Sequence, residues 1–169
     1  MADNVRRHVA IALTLVLAGA LLGGCAGAES PGVPTGNAVL LTAEQHALEI
    51  AQAKQRTPLP PGAGWRDLAP LDPNAGYEPH DGASMIEFQA MCAWLLEARD
   101  ASTAGDGERL GRARGVILGI PGWRSFSDPE LGDRDFRALI QENVDYALTG
   151  NYPKLAPFLD GPCAAPATQ

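Results

Sequence analysis

Residues 84–99 read SMIEFQAMCAWLLEAR. Met85, Phe88, Cys92, Leu95 and Leu96 recur at helical spacing, with Met91 and Trp94 beside them. Ser84 followed by Glu87 has the spacing of a capping box. The segment predicts the central core helix of the protein.

Its flanks are breakers. Upstream, residues 58–82 (PLPPGAGWRDLAPLDPNAGYEPHDG) are too rich in proline and glycine for a long helix or a central strand. They read as a long loop anchored by Trp65, Leu68, Leu71 and Tyr77. Downstream, DASTAGDG (residues 100–107) ends the helix. A further helix is expected over Leu40–Arg56, with Thr42 and Gln45 at capping-box spacing. Another is expected over Glu108–Ile120, with a strand at Val116–Ile120 as the rival reading. A last helix is expected over Asp133–Leu148, with Phe136, Leu139, Ile140, Val144, Ala147 and Leu148 inward and Gly150 just past its end. Leu155, Phe158 and Leu159 should dock the tail on the core. About four helices and no alternating strands predict a small all-α domain over residues 40–169. The echo between GWRDLAPLDP (64–73) and GWRSFSDP (122–129) is too short to be a repeat.

The N-terminus is of another kind. Arg6 and Arg7 precede 14 uncharged, mainly aliphatic residues, Val9–Leu22. That length suits a signal-peptide core and falls short of the roughly 20 residues that span a bilayer. Counted on to Ala28, the uncharged stretch could just span, but its glycines argue against a firm helix there. Cleavage at an Ala-x-Ala-like site, or twin-arginine export, are alternatives that the surrounding residues fit less well. Leu22-Gly23-Gly24-Cys25 resembles the lipobox of bacterial lipoprotein precursors. The resemblance covers the first 25 residues only. It implies cleavage after Gly24 and diacylglyceryl attachment to Cys25, so that residues 1–24 are the signal peptide. Residues 25–39 then form a lipidated tether, whose AGAESPGVPTGNAV lacks apolar periodicity. It would reach roughly 20 Å on average and about 50 Å extended. The chain from Cys25 on would sit on the outer face of the cell membrane, on the periplasmic side or at the cell surface.

Taking Arg6, Arg7 and Asp3 from the 13 basic and 20 acidic residues of the whole chain leaves 11 and 19, a net charge near −8. Such a surface has no general attraction for nucleic acid or anionic headgroups. With Cys25 lipidated, Cys92 and Cys163 remain, and an even pair outside the cytoplasm predicts a disulfide tying the tail to the central helix. There is no C-x-x-C spacing for a metal or redox site.

Motifs for chemistry are sparse. The chain holds no G-x-S-x-G, Walker loop, H-E-x-x-H or dinucleotide fingerprint, and no cofactor or metal is implied. His46, beside Glu44 and Glu49, lacks local partners for a metal and reads as a surface or half-buried structural residue. In YEPHDG (residues 77–82), Glu78, His80 and Asp81 could hold a divalent ion or act as acid and base, although a turn into a helix needs the same residues. Asp128, Glu130, Asp133 and Asp135 do not follow a calcium-loop pattern and suit a helix start. Arg109, Arg112 and Arg114 suit pairing with nearby carboxylates more than a binding patch.

The expectation is a lipid-anchored envelope protein acting as a non-enzymatic interaction or accessory module. It would dock an envelope protein partner through the Trp65 and Trp123 loops or the central helix. The alternative is a small extracytoplasmic metal-dependent or acid/base hydrolase using Glu78, His80 and Asp81. A pocket bringing His80 to His46 or to the Asp128 cluster favours the alternative, and a solvent-splayed His80 favours the module. A soluble-ligand receptor of the two-lobed α/β type needs a longer chain.

Overall fold

The structure, a computed structural model, describes residues 39–164. The expected signal peptide, Cys25 and nearly all of the expected tether lie outside the described residues. Six α-helices follow one another among the described residues: α1 (Ala43–Arg56), α2 (Asp81–Thr103), α3 (Gly107–Ile117), α4 (Arg124–Ser127), α5 (Arg134–Thr149) and α6 (Tyr152–Asp160). A 3-10 turn at Ile120–Gly122 joins α3 to α4. Strand pairing among these residues amounts to one antiparallel bridge, Leu41 with Tyr77. The domain is all-α, and none of its described helices is long and apolar enough to cross a membrane.

Local chemistry sets most boundaries. Thr42 opens α1 with a complete capping box: its hydroxyl accepts the Gln45 N–H and Gln45 Oε1 accepts the Thr42 N–H. Asp106 and Asp133 cap α3 and α5 through the N–H groups of Arg109 and Phe136. Gly150 ends α5 at φ 73°, a left-handed turn that favours glycine.

The central helix is α2, which packs against α1, α3, α4, α5 and α6. Partners on several sides explain why it buries residues round much of its circumference, from Ile86 to Ala101. It starts at Asp81, three residues before the expected start. The pairing of Ser84 with Glu87 therefore caps nothing: Ser84 N–H bonds the His80 carbonyl inside the first turn, and Glu87 reaches across to α4. The third helix stops at Ile117 and no strand forms at Val116–Ile120, because the chain tightens into the 3-10 turn that buries Ile120. Leu139, expected inward, is 43% exposed, since the buried stripe of α5 runs through Ile140, Val144 and Ala147. The tail docks as expected, and does so as a helix, with Leu155, Phe158 and Leu159 buried.

Two hydrophobic clusters result. The larger joins α2 to α3–α6 around Met91, Leu95, Ile117, Ile140 and Leu155. The smaller consists of Ile50, Ala53 and Ile86, covered by Trp65, Leu68, Ala83 and Met85. Cys92 and Cys163 are bonded, with their Cα atoms 5.4 Å apart, and join α2 to the tail. The long loop is fastened to the same helix: Trp94 Nε1 donates to the Pro58 carbonyl at 2.9 Å, and Gln89 Oε1 accepts the Arg66 N–H at 3.3 Å.

Candidate functional site

Three chain segments converge on one cleft of about 410 Å³: the last turns of α1, the first turns of α2 and the Trp123–Ser125 turn. That volume falls within the range of small-ligand pockets. His80 stands at its centre of interactions. It precedes α2 at φ 75°, the one non-glycine residue with positive φ among the described residues. A side chain there costs on the order of 1 kcal/mol in backbone strain that glycine would not incur.

The strain is held from two sides. Glu49 Oε1, on α1, accepts the His80 N–H at 2.8 Å, and the His80 carbonyl accepts the Ser84 N–H at 2.9 Å. The ring is held as well. Nδ1 lies 3.5 Å from Glu49 Oε1, and Nε2 lies 3.1 Å from Arg124 Nη2. A guanidinium only donates, so Nε2 accepts and the imidazole proton sits on Nδ1, facing Glu49. The network thus assigns the tautomer, with the basic nitrogen turned toward the Arg124 side of the cleft.

Behind Glu49 lies His46, fully buried and stacked on Tyr77 with ring centroids 4.5 Å apart. Its Nδ1 is 3.9 Å from Glu49 Oε2, too long for a hydrogen bond. Neither ring nitrogen nor Glu49 Oε2 has a hydrogen-bond partner among the described residues. His46 is therefore an interior residue and not the surface or half-buried one its polar neighbours suggested. Gly82 makes this approach possible: a Cβ there would stand 2.8 Å from Ile50 Cγ1 and 3.1 Å from His46 Cε1.

On the far wall, Glu87 Oε2 accepts the Ser125 N–H at 2.9 Å and so fixes the turn that carries Arg124. Trp123 stacks on Phe126 behind it, with ring centroids 6.3 Å apart. Arg124 Nε is 3.8 Å from Asp128 Oδ2. Arg56 and Gln52 of α1 complete the rim.

Of the sequence-predicted trio, His80 alone lines the cleft. Glu78 and Asp81 are exposed, and the Asp81 N–H closes a turn on the Glu78 carbonyl at 3.3 Å. The structure links His80 to His46 only through Glu49 and to Asp128 only through Arg124, and neither His46 nor Asp128 lines the cleft, so the shared pocket that would favour the hydrolase does not form. Glu49, Glu87, Arg124 and Arg56 were not foreseen as site residues. His80 and Glu49 lie 31 positions apart, across a loop that no periodicity describes. Among the described residues no group of three or more His, Cys, Asp or Glu side chains is placed to hold a metal ion.

The other charged runs serve the fold. Asp133 caps α5, and Asp128 Oδ1 accepts the Glu130 N–H within a turn. Arg109 donates to both oxygens of Glu97, at 2.8 and 2.7 Å. That hydrogen bonding, together with the guanidinium charge, holds the Glu97 carboxyl below the usual carboxylate range. Arg112 pairs with Glu108 one turn back. Trp65 covers the smaller cluster and lines a separate hollow of about 80 Å³, so the two tryptophan loops do not share a cavity.

No protein-family model, no curated protein and no solved structure matches this chain.

Proposed function

We propose that this chain is a bacterial lipoprotein, cleaved before Cys25 and held by its acylated cysteine on the outer face of the cell membrane. In this reading the α-helical domain acts there as a non-enzymatic binding module. The leader and its lipobox-like end support the anchor, and the Cys92–Cys163 bond suits an oxidising compartment. The binding role rests on one observation. A strained histidine, with both ring nitrogens already paired to protein groups, stands in an open cleft built from three separate segments. Strain of this kind persists where the side chain is needed.

A second reading has an observation of its own. The fixed Nδ1–H tautomer of His80 beside Glu49 is the arrangement of a histidine base with its orienting carboxylate. It would make the protein a small extracytoplasmic hydrolase. The exposed positions of Glu78 and Asp81, outside the cleft, leave His80 without the companions that such chemistry was expected to use, and this favours the module.

Two experiments test the proposal in cells. Cys25→Ala should give an uncleaved or shed protein, and normal lipid labelling of that variant would overturn the anchor. A photoreactive residue at Gln52, on the rim of the cleft, should give one discrete adduct with an envelope protein, while the same residue at Glu108 on α3 gives none. Equal adducts from both positions, or none from either, would count against the module. Ester or amide hydrolysis that disappears with His80→Gln would replace it by the hydrolase.

A further inference from the structure

The guanidiniums that line the cleft have donor capacity to spare, whereas its carboxylates are in part engaged. Glu49 Oε1 is taken by His80, and Glu87 Oε2 by the Ser125 N–H. Glu49 Oε2 is sealed from solvent and beyond a ligand's reach. The two guanidiniums are differently placed. Arg56 makes no hydrogen bond or ion pair with any described residue, and it is exposed. Arg124, 59% exposed, has a neutral imidazole nitrogen at 3.1 Å and a carboxylate only at 3.8 Å. Its planar fork is thus underused, on a turn that Glu87 holds in place.

A fork of this kind is completed best by a carboxylate, through two parallel charge-assisted hydrogen bonds stronger than one to a neutral nitrogen. We propose that the cleft binds a ligand bearing a carboxylate next to an N–H or O–H donor. The carboxylate takes Arg124 in a bidentate pair, with Arg56 adding positive charge from the α1 side. Arg124 then leaves His80 Nε2, which Glu49 keeps in its accepting tautomer, and Nε2 accepts the ligand's donor. Trp123 supplies a flat wall for the ligand's body. An acylated amino acid, the chemistry of a peptide chain end, meets the requirement, and so does a small hydroxy acid. The inference rests on the cleft being a binding site, as proposed above.

The test uses the mature lipidated protein, from Cys25 on, in detergent micelles, with indole N–H signals followed by NMR. Trp123→Phe assigns the reporting signal, and Trp94, bonded to the Pro58 carbonyl, reports the fold. N-acetylglycine and glycolate should each shift the Trp123 signal saturably and leave Trp94 unmoved. N-acetylglycinamide, which lacks the carboxylate, should bind at least tenfold more weakly. Arg124→Gln should weaken N-acetylglycine at least tenfold with the Trp94 signal in place. Acetyl-triglycine binding more tightly than glycolate would assign the peptide chain end, and the reverse the hydroxy acid. An amide that binds as well as the acid, an unaffected Arg124→Gln variant, or no shift with any probe would overturn the inference. If the Gln52 adduct still forms in cells while every carboxylate probe fails, the ligand class falls and the binding module stands. If both fail, both readings fall.

Discussion

The two hydrophobic clusters of this domain are built to different standards. The larger encloses residues from five helices and the disulfide, and Met91, Leu95, Ile117, Ile120, Ile140 and Leu155 within or beside it are wholly or almost wholly shielded from solvent. The smaller has three buried apolar residues, and beside it the His46 imidazole and Glu49 Oε2 are buried without a hydrogen-bond partner among the described residues. Unpaired buried polar atoms cost on the order of 1–3 kcal/mol each. The cleft borders both: Ala83 in its lining covers the smaller cluster, and Trp123 packs on the larger. The α1 side of the cleft is thus its less firmly packed wall, as suits a region that must adapt to what it binds.

The disulfide gives the strongest contrast. It closes a loop with a sequence separation of 71, for which the chain-entropy model gives roughly 4 kcal/mol. The double variant Cys92→Ala/Cys163→Ala should lose most of that in denaturant unfolding. Hydrogen exchange should accelerate most in α6 and the tail. Acceleration greatest in α1 would mean that the two clusters are one cooperative unit. Truncations then compare the clusters directly. Leu95→Ala, at a fully buried position, should cost about 3 kcal/mol, and Ile50→Ala, 9% exposed at a cluster rim, about 2 kcal/mol or less. Equal costs in thermal unfolding would erase the distinction.

The larger cluster was far more legible in the sequence than the cleft. Helical spacing and caps are local, so the run from Met85 to Leu96, the Thr42 box and the Asp133 start could be read from neighbours alone. The Cys92–Cys163 pair followed from parity and compartment. The start of α2 is not legible in the same way, because Ser84 and Glu87 imitate a cap within its first turns. The helix starts after His80, whose N–H is held by Glu49 of α1, a tertiary contact. His80 stood out by residue type. Its partners Glu49 and Arg124 did not, since they lie 31 and 44 positions away across irregular chain.

His80 allows the strain argument to be tested apart from binding. His80→Gly removes the left-handed penalty and the ring contacts, while adding freedom to the unfolded chain. These effects oppose one another, so stability should change by less than about 1 kcal/mol while any ligand response of the cleft disappears. A loss above about 2 kcal/mol in denaturant unfolding would make the imidazole a structural strut that joins α1 to α2.

The smallest effect concerns the Glu97–Arg109 pair, which links α2 to α3 at the surface of the larger cluster. Arg109's hydrogen bonds lower the Glu97 carboxyl below its ordinary 4.5 in the folded protein. The pair's contribution is therefore fully present above about pH 4.5 and is lost as pH falls through the lower folded value. Solvent reaches Arg109, so the contribution is modest. Glu97→Gln should lower Tm by only a degree or two near neutral pH, and the gap from the unmodified protein should close on acidification. A gap that widens with acid would reverse the sign of the linkage. A gap of many degrees at neutral pH would mean that α3 depends on this surface pair more than on burial of Ala113 and Ile117, and the larger cluster would then owe its firmness to electrostatics and not to packing.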